Sequence, residues 1–356
     1  MKTTKYMSYY VGELPKGCLL CMRGAKLVYF ATGLCSRSCF YCPLSLERKG
    51  KDVVYADETP VRGLEDVIEE AKLIRALGVG VTGGDPLLKV DRVVETIRAL
   101  REVFGKGFHV HVYTTTQPYV NSSTLKALGE AGVDELRLHP KLDVHDELRQ
   151  VEEAVDLGLN VGLELPAIPG FEAKLMEAVE RACRLGASFV TINELEMTES
   201  NAALMQMLGF RLKKGSPSAV EGSWEVAMAL LKLCEDLGLN AHFCPAYIKD
   251  SVQFRNRLRR KAKSIALPHE VITRDPLLVK GVVEPPPGRS LHDAYNYLRS
   301  LLPQEFIYVN EDRNRVECHH KALLRVAQKL KRMGFKLSIV GEMPTSFREQ
   351  VLVKLV

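Results

Sequence analysis

The stretch Cys35-Ser36-Arg37-Ser38-Cys39-Phe40-Tyr41-Cys42-Pro43 places three cysteines within eight residues. Thiolates are the usual ligands of iron–sulfur clusters, and a [4Fe–4S] cluster normally takes four of them. Three thiolates on one short loop therefore leave one iron without a protein ligand, and a small molecule can bind there. The alternatives are a zinc site that lacks one ligand and reduced structural thiols. Zinc sites are usually built from Cys-x2-Cys pairs, and the gap between Cys35 and Cys39 does not fit that spacing.

The spacing Cys-x3-Cys-x2-Cys, with the aromatic residue Tyr41 before the last cysteine, resembles the signature of the radical S-adenosylmethionine (SAM) superfamily. The resemblance implies that Cys35, Cys39 and Cys42 ligate a [4Fe–4S] cluster and that Tyr41 lies at the cofactor. The open iron of the cluster would chelate the amino and carboxylate groups of SAM. An electron from the cluster would then cleave SAM to methionine and a 5′-deoxyadenosyl radical, so an electron donor such as ferredoxin or flavodoxin is an expected partner.

The composition is that of an ordinary globular protein, with 356 residues of which 46% are hydrophobic and 26% are charged. No stretch approaches the ~20 apolar residues of a membrane span, and the N-terminus lacks the apolar core of a signal peptide. We therefore expect a cytoplasmic protein without a membrane partner. The nine cysteines argue against a disulfide framework in such a chain. The net charge of +5 permits a polyanionic partner without requiring one.

Apolar, strand-like runs alternate with amphipathic helical patterns between residues 26 and 193. Such alternation predicts right-handed crossovers and a parallel sheet. Together with the resemblance, it predicts an α/β fold, a partial (β/α)6 barrel of the radical SAM type, in which the cysteine loop follows the first strand. A helix at 223–237 and a strand at 240–243 would extend or close this barrel. The predicted strands are 26–32, 78–82, 108–115, 135–138, 160–165 and 188–193, and the predicted helices are 64–77, 90–104, 122–131, 145–157 and 172–185.

The character of the chain changes after residue 248, where six basic residues follow within the stretch Arg255–Lys263. The last elements then follow the order βαββαβ, which predicts a small ferredoxin-like α+β domain at the C-terminus. The predicted organisation has four parts. They are an N-terminal extension with a Cys-x2-Cys pair (1–25), the barrel (26–248), a basic linker helix (249–270) and the α+β domain (271–356).

The segment Thr82-Gly83-Gly84-Asp85-Pro86 at the end of the second predicted strand is similar to the Gly-Gly-Glu motif of the radical SAM family. The resemblance implies that Gly83, Gly84 and Asp85 hold the amino group of SAM. Glycines let a backbone approach a ligand closely, and a carboxylate suits an ammonium group. Asp85 stands where the family usually has Glu, which shortens the reach. The alternative is a plain turn, because Gly, Asp and Pro are common turn residues.

Polar residues also lie near the ends of later strands, where parallel barrels carry their sites. The resemblance implies that such residues bind SAM, and the candidates are Thr115, Arg137 and Glu164. The fork of Arg137 suits the carboxylate of SAM, and Glu164 suits a ribose hydroxyl. The alternatives are a surface turn for Thr115 and Thr116, and an ion pair between Arg137 and Glu164.

A second cysteine pair, Cys18-Leu19-Leu20-Cys21, supplies half of a metal site. Cys244 ends the last strand of the predicted barrel, and Cys318, which precedes two histidines, is another candidate ligand. The pattern is compatible with an auxiliary iron–sulfur cluster or a zinc site built from Cys18, Cys21 and Cys244. It is equally compatible with reduced thiols that bind no metal.

These observations predict a [4Fe–4S]- and SAM-dependent radical enzyme whose adenosyl radical abstracts hydrogen from an unidentified substrate. The cysteine pair and the C-terminal domain resemble those of archaeal-type proteins related to the pyruvate formate-lyase activating enzymes. Three substrate classes stay open: RNA or nucleosides, favoured by the basic run; a protein on which a glycyl radical is made; and small molecules, favoured by Glu194, Glu196 and Glu199. The non-enzymatic alternative is a metal-stabilised RNA-binding module.

Overall fold

The computed structural model describes residues 1–116, 120–142 and 148–356. They form two compact units, Met1–Asn256 and Arg257–Val356. This division differs from the predicted one in two ways. Residues 1–25 belong to the first unit, because their strands extend its sheet and their helix packs on its strands. Residues 249–270 are not a separate linker, because the boundary between the units falls inside one continuous helix.

In the described part of the first unit, eleven strands form one sheet in the order β1-β2-β11-β10-β9-β8-β7-β6-β3-β4-β5. The seven strands from β11 to β3 are parallel, and the two short strands at each edge are antiparallel to their neighbours. The strands are β1 (Lys2–Thr3), β2 (Tyr9–Val11), β3 (Lys26–Phe30), β4 (Tyr55–Ala56), β5 (Thr59–Pro60), β6 (Gly78–Thr82), β7 (His109–Thr115), β8 (Glu135–His139), β9 (Val161–Ala167), β10 (Phe189–Glu194) and β11 (Asn240–Cys244).

Consecutive parallel strands are neighbours in this sheet, as the strand–helix alternation predicts. The barrel fold is thus confirmed, and β11 extends the sheet by pairing with β10. The first three residues of the predicted helix 145–157 lie outside the described residues. The helices of this unit are α1 (Lys16–Met22), α2 (Leu64–Leu73), α3 (Val90–Phe104), α4 (Ser122–Ala131), α5 (Arg149–Asp156), α6 (Glu172–Arg184), α7 (Ala202–Met207), α8 (Ser223–Asp236) and α9 (Ala246–Ile248).

Successive side chains of a strand point to opposite faces of a sheet, and here the two faces differ in polarity. One face is apolar: Val110 and Val112 of β7, like Leu136 and Leu138 of β8, are fully buried in the same core cluster as residues of the surrounding helices. The side chains between them are polar and face the inside of the barrel. The segment His109–Thr115 shows the pattern, since His109, His111 and Tyr113 alternate with the two valines.

The second unit is an antiparallel sheet that carries two helices on one face. The βαββαβ core formed by β13, α11, β14, β15, α12 and β16 has the strand order β14-β15-β13-β16, which is the ferredoxin-like arrangement. The strand β17 adds to β16, and β12 pairs with β13. The strands are β12 (Val271–Ile272), β13 (Leu278–Glu284), β14 (Ile307–Asn310), β15 (Arg315–Cys318), β16 (Lys336–Glu342) and β17 (Gln350–Leu355), and the helices are α10 (Arg255–Ile265), which begins in the first unit, α11 (Leu291–Arg299) and α12 (His320–Arg332).

The faces of this second sheet also differ. Val283, Val316 and Leu337 pack with α11 and α12 in an apolar cluster. The opposite face buries charged residues around Lys280, whose Nζ lies 3.2 Å from Glu270 Oε1 and 2.8 Å from one oxygen each of Glu317 and Glu342.

Across residues 1–116, 120–142 and 148–356, no helix is both long enough and apolar enough to cross a membrane.

Candidate active site

The inner face of the parallel sheet borders a cavity of about 470 Å³. This volume is in the range of small-molecule and cofactor sites. Each parallel strand contributes to its wall, so the cavity is a product of the barrel rather than of one loop. The contributing residues include Val28 of β3, Gly80 of β6, Tyr113 of β7, Arg137 of β8, Glu164 of β9, Asn193 of β10 and Cys244 of β11.

The cysteine loop follows β3 and is anchored by an aromatic side chain. The ring of Phe40 stacks on Phe210 at a centroid distance of 5.5 Å and lies 6.1 Å from the ring of Phe171. Next to this anchor, Cys39 and Cys42 are half-buried and Cys35 is exposed. The loop therefore presents three thiols on a fixed support, and a set of three soft sulfur ligands fits an iron–sulfur cluster with one open iron.

Tyr41 connects the cysteine loop to the end of β8. His139 Nδ1 lies 2.9 Å from the carbonyl oxygen of Glu164, which can only accept, so Nδ1 carries the proton. His139 Nε2 therefore accepts a hydrogen bond of 2.9 Å from the hydroxyl of Tyr41. Burial raises the pKa of Tyr41, which keeps that hydroxyl protonated. Tyr41 also lines the cavity, where the resemblance to the radical SAM family predicts the cofactor.

Gly83 and Gly84 line the cavity and lie against the backbone that leads into the cysteine loop. Gly84 N donates to the carbonyl of Thr32, and Asp85 N donates to the carbonyl of Leu34. A Cβ atom on Gly83 would lie 2.4 Å from the oxygen of Thr32, and one on Gly84 would lie 2.3 Å from the oxygen of Leu34. Glycine is therefore required at both positions, and a ligand of the cysteine loop can contact this backbone directly.

Asp85 occupies a different place from the one predicted for it. Its carboxylate is fully buried, accepts hydrogen bonds from the hydroxyls of Thr114 and Thr115 and from Leu87 N, and does not line the cavity. Three donors thus hold the carboxylate behind the cavity wall. Thr115 does line the cavity, so Asp85 fixes the position of a wall residue rather than facing the cavity itself.

Arg137 and Glu164 both line the cavity and form the ion pair that the sequence left open as an alternative. Arg137 Nη1 lies 3.4 Å from Glu164 Oε2, and Arg137 Nη2 lies 2.7 Å from Glu135 Oε2. The Arg137 side chain is 1% exposed, and its guanidinium is shared between these two carboxylates. Burial raises the pKa of Glu164, and the guanidinium of Arg137 offsets this only in part.

A chain of polar groups at the base of the cavity was not predicted from the sequence. Lys26 Nζ donates to the carbonyl of Val79 at 2.7 Å and lies 2.8 Å from His109 Nδ1. His109 Nε2 lies 3.1 Å from Glu135 Oε1, so the hydrogen bonds run from Lys26 through His109 to Glu135. Burial lowers the pKa of Lys26 to about 7. The signal for this group was present in β7 and β8, where polar residues recur at every second position.

Helix α1 lies at the same base and brings Cys18 and Cys21 to the cavity. Gly17 N donates to Glu135 Oε1 at 2.9 Å, and a Cβ atom on Gly17 would lie 2.4 Å from His111 Nδ1. The absence of a side chain at Gly17 therefore lets α1 approach β7 and β8 closely. Burial raises the pKa of Cys18 to about 11.

Cys18, Cys21 and Cys244 line one cavity, as the second predicted metal site requires. Their sulfur atoms do not all lie within 4.8 Å of one another, and neither do those of Cys35, Cys39 and Cys42, since the single such set of three in the described residues is His269, Glu270 and Glu317. Burial raises the pKa of Cys244 to about 12.

Cys318, the other candidate ligand, lies in the apolar core of the second unit, where burial raises the pKa of its thiol to about 12.

Two observations bear on the other substrate classes. The basic run of α10 is not a solvated face, because Lys261 is buried and the four arginines of the run are half-buried. At the mouth of the barrel, Glu194 accepts a hydrogen bond from Ala246 N, and Glu196 is paired with Lys249. These acidic groups are thus already engaged within the protein.

Comparisons with known proteins agree with this geometry. Residues 29–193 match the model of the radical SAM superfamily. MJ0021 of Methanocaldococcus jannaschii, whose name proposes it as a glycyl-radical enzyme activating enzyme, is 43% identical over 291 residues. The match covers 78% of this chain and 76% of that protein. This chain belongs to the radical SAM superfamily. It is therefore an enzyme that uses a [4Fe–4S] cluster and SAM.

Solved structures of two other proteins are also similar to this radical SAM enzyme. SuiB of Streptococcus suis has a TM-score of 0.46 and 13% sequence identity, with 62% of this chain and 49% of SuiB covered. HydG, a maturase of the [FeFe]-hydrogenase, has a TM-score of 0.40 and 13% identity, with 69% of this chain and 64% of HydG covered. The matched region thus spans about half the length of SuiB.

Proposed function

We propose that this radical SAM enzyme activates a partner protein by removing a hydrogen atom from one of its glycine residues. The observation that carries the proposal is the extended similarity to MJ0021, whose name gives it this role. The geometry supports it, since α1 occupies the base of the barrel and leaves the end with the cysteine loop for substrate entry. A glycine has no side chain, so a partner loop can bring its Cα into a narrow barrel.

In this proposal Cys35, Cys39 and Cys42 hold the cluster, and the backbone of Gly83 and Gly84 binds the amino group of SAM. A cluster held there would supply the electron for cleavage of SAM to methionine and a 5′-deoxyadenosyl radical. The protein's own task is to position SAM and to exclude water from the radical.

The cavity wall supplies the remaining contacts with SAM. Arg137 and Glu164 offer groups to the carboxylate and the ribose, and Asp85 holds Thr115 in the wall. The hydrogen bond from Tyr41 to His139 keeps the cysteine loop at the end of β8. A one-electron donor, ferredoxin or flavodoxin, is the further partner that this chemistry needs.

The test is to incubate the anaerobically reconstituted enzyme with SAM, a reductant and a co-purified partner protein that was labelled with deuterated glycine. We expect a glycyl radical on the partner, detected by electron paramagnetic resonance, and deuterium in the 5′-deoxyadenosine. A partner in which the reacting glycine is alanine serves as the control and should show neither signal. Formation of 5′-deoxyadenosine without deuterium transfer from the partner would show that the substrate belongs to another class.

A second metal site at Cys18, Cys21 and Cys244 is supported by one further observation. His242, two residues before Cys244 on β11, lines the same cavity, is 1% exposed, and its Nδ1 has no hydrogen-bond partner in the described structure. His242 Nε2 lies 3.2 Å from the hydroxyl of Ser8. Metal-bound histidines commonly make such a second hydrogen bond through the other ring nitrogen. We propose that these four residues close on a metal ion or cluster.

Metal analysis tests this site directly. We expect reconstituted enzyme to contain metal beyond that of the cysteine loop, and the Cys18→Ala/Cys21→Ala variant to lose the excess. Cys183→Ala, which changes a half-buried thiol of α6, is the matched control and should retain it. Equal iron and zinc contents in all three proteins would rule out the second site.

A further inference from the structure

A group of large apolar side chains is exposed on α7 and the turn that follows it. Met207 is 84% exposed, Leu208 is 55% exposed and Leu204 is 47% exposed. Single exposed apolar residues are ordinary, but neighbouring ones that form a patch usually mark an interaction site. Three such residues within five positions of α7 and the turn that follows it form a patch of this kind.

This patch lies beside the cysteine loop. Asn201 Nδ2, just before α7, donates to the carbonyl of Tyr41 at 3.1 Å, and Ser200 Oγ lies 3.4 Å from the carbonyl oxygen of Cys42. After α7 the chain returns to the loop through the stacked rings of Phe210 and Phe40. Because the six residues of α7 span only about 9 Å, the exposed patch is one short helix away from Cys42.

Positive charge is concentrated in the two segments that contain the cysteine loop and the apolar patch. Residues 202–220 contain three basic residues and no acidic one, and residues 31–51, the cysteine loop and its return, contain four basic residues and one acidic one. These two segments carry a formal net charge of +6, and the exposed carboxylates of Glu199 and Glu221, which flank the second segment, reduce it to +4. The basic residues are Arg37, Arg48, Lys49 and Lys51 of the first segment and Arg211, Lys213 and Lys214 of the second.

Two contacts show how this charge is arranged around the cysteines. Gly33 N donates to the carbonyl of Lys51, so the return of the loop lies beside its beginning. Lys213 Nζ lies 3.9 Å from Glu194 Oε1, so its charge is partly used within the protein. Arg211 and Lys214 are exposed, as are Lys49 and Lys51.

We infer that an acidic, one-electron carrier protein docks on this surface, which we name the carrier face: Leu204, Met207 and Leu208 with the exposed basic residues Lys49, Lys51, Arg211 and Lys214. The apolar patch supplies the centre of the contact and the basic residues steer and orient the acidic partner. Docking there brings the carrier to the loop that holds the cluster, and one electron passes from the carrier to the enzyme. This inference rests on the need for a one-electron donor in the proposed function.

The first test measures binding rather than turnover. An oxidised acidic flavodoxin is titrated onto the reconstituted enzyme at low and at moderate salt. We expect Arg211→Glu/Lys214→Glu, and separately Met207→Ser/Leu208→Ser, to weaken its affinity by about tenfold or more at low salt. Lys106→Glu/Lys126→Glu changes the same number of exposed charges elsewhere on the first unit and should stay within about twofold of the unaltered enzyme.

The second test compares two reductants in the formation of 5′-deoxyadenosine from SAM. With reduced flavodoxin at a limiting concentration, both variants of the carrier face should be slower by about tenfold, in step with their weaker binding. With dithionite, a small reductant that needs no docking surface, they should match the unaltered enzyme. Unchanged flavodoxin affinity in both variants would overturn the inference.

The two reductants also separate this inference from the proposed function. Variants that bind flavodoxin normally but fail to activate the partner protein with dithionite would assign the face to that partner instead, and would overturn the inference. A flavodoxin effect of the expected size without a glycyl radical on any partner would leave the carrier face standing and refute the proposed substrate.

Discussion

The barrel and the second unit each bury a network of charged side chains. The two networks differ in how many of their buried polar groups have an ion-pair or hydrogen-bond partner. In the second unit, Lys280 contacts Glu270, Glu317 and Glu342, and Arg315 contacts the last two again. Burial alone raises the pKa of Glu317, but hydrogen bonds from His269 and Lys280 outweigh it and lower that pKa. Each carboxylate of this network therefore has a cation beside it.

The barrel network is left incomplete. Arg137 serves both Glu135 and Glu164, yet it also borders the cavity, and the Nδ1 atoms of His111 and His242 have no hydrogen-bond partner in the described structure. Buried polar groups are nearly always satisfied, so unsatisfied groups around a cavity indicate a place for a ligand.

The contrast teaches that buried charge alone does not identify a site. His269, Glu270 and Glu317 come close enough together to suggest a metal ion, but Lys280 already lies 3.2 Å from Glu270 and 2.8 Å from Glu317. The ammonium group holds the position that a cation would take. The second network therefore stabilises its unit, whereas the barrel network serves a ligand.

Removing the central cation of each network gives the largest expected effects. Arg137→Met leaves Glu135 and Glu164 without the guanidinium that they share. It should lower the free energy of unfolding by about 3–5 kcal/mol, as measured in urea. Lys280→Met should cost less stability, because Arg348 stays beside Glu270 and Arg315 stays beside Glu317. The networks should then differ in function. Arg137→Met should lose SAM binding, and Lys280→Met should still form 5′-deoxyadenosine below its unfolding transition.

Either of two results would contradict this predicted difference between the networks. A folded Lys280→Met enzyme without SAM cleavage would show that the second network acts in catalysis. An Arg137→Met enzyme with undiminished SAM affinity would show that the barrel network is as purely structural as the other.

Adding a methyl group to Gly84 at the cavity wall tests whether its close approach to the backbone of the cysteine loop is needed. Gly84→Ala places a Cβ 2.3 Å from the oxygen of Leu34 and must displace the cysteine loop or the strand end. We expect SAM affinity, measured by equilibrium dialysis, to fall by about tenfold or more, which corresponds to about 1.4 kcal/mol.

Gly129→Ala is the matched control for this methyl group. Its Cβ would meet nothing closer than 3.7 Å, in the helix α4. It should leave SAM binding unchanged, and equal affinities in the two variants would contradict the account of the glycine pair.

The base of the barrel should show its own pH dependence. The pKa of Lys26 is lowered to about 7 from an ordinary value of 10.5, so above pH 7 the unfolded chain binds more protons there than the folded one. The contribution of Lys26 to stability therefore rises from pH 7 to pH 10 and falls as the pH drops toward 7.

Urea unfolding of Lys26→Met checks this dependence. The stability of the unaltered enzyme relative to the variant should increase with pH across that window by up to about 1.4 kcal/mol per pH unit. Lys126→Met, at an exposed position of α4, is the control and should follow the unaltered enzyme. A difference between Lys26→Met and the unaltered enzyme that does not vary with pH would exclude a titrating group at the base.

The smallest effect concerns one hydroxyl at the mouth. Tyr41→Phe keeps the ring in place and removes the hydrogen bond to His139 Nε2. The expected loss is about 1 kcal/mol, seen as a severalfold weaker affinity for SAM with a nearly unchanged unfolding curve. His139→Ala removes the same hydrogen bond from the other side, so adding Tyr41→Phe to it should not weaken the affinity for SAM further. A further loss of affinity would show that Tyr41 does not act through its bond to His139.

The sequence predicted the parts of the fold that depend on local pattern. The alternation of strands and helices predicted the parallel sheet, and the position of Cys35 after the first strand placed the loop at the end that carries the site. The order of elements after Pro268 predicted the ferredoxin-like unit. In each case short-range periodicity and the rules of parallel connection suffice.

The sequence did not predict the contacts between distant segments. Helix α1 lies at the base of the barrel because Gly17 fits against His111 and Glu135, more than ninety positions away in the chain. Asp85 points away from the cavity because the hydroxyls of Thr114 and Thr115, on the neighbouring strand, donate hydrogen bonds to its carboxylate. Both depend on which side chains meet across the sheet, and a single sequence does not contain that information.

The most direct test of the account is to replace Cys35, Cys39 and Cys42 together with alanine. Anaerobically reconstituted enzyme should show the broad visible absorbance of an iron–sulfur cluster and, with dithionite, should convert SAM to 5′-deoxyadenosine. The triple variant should lose the conversion and the cluster of this loop, while Cys183→Ala keeps both. A triple variant that still forms 5′-deoxyadenosine would contradict the claim that these three thiols hold the cluster at which SAM is cleaved.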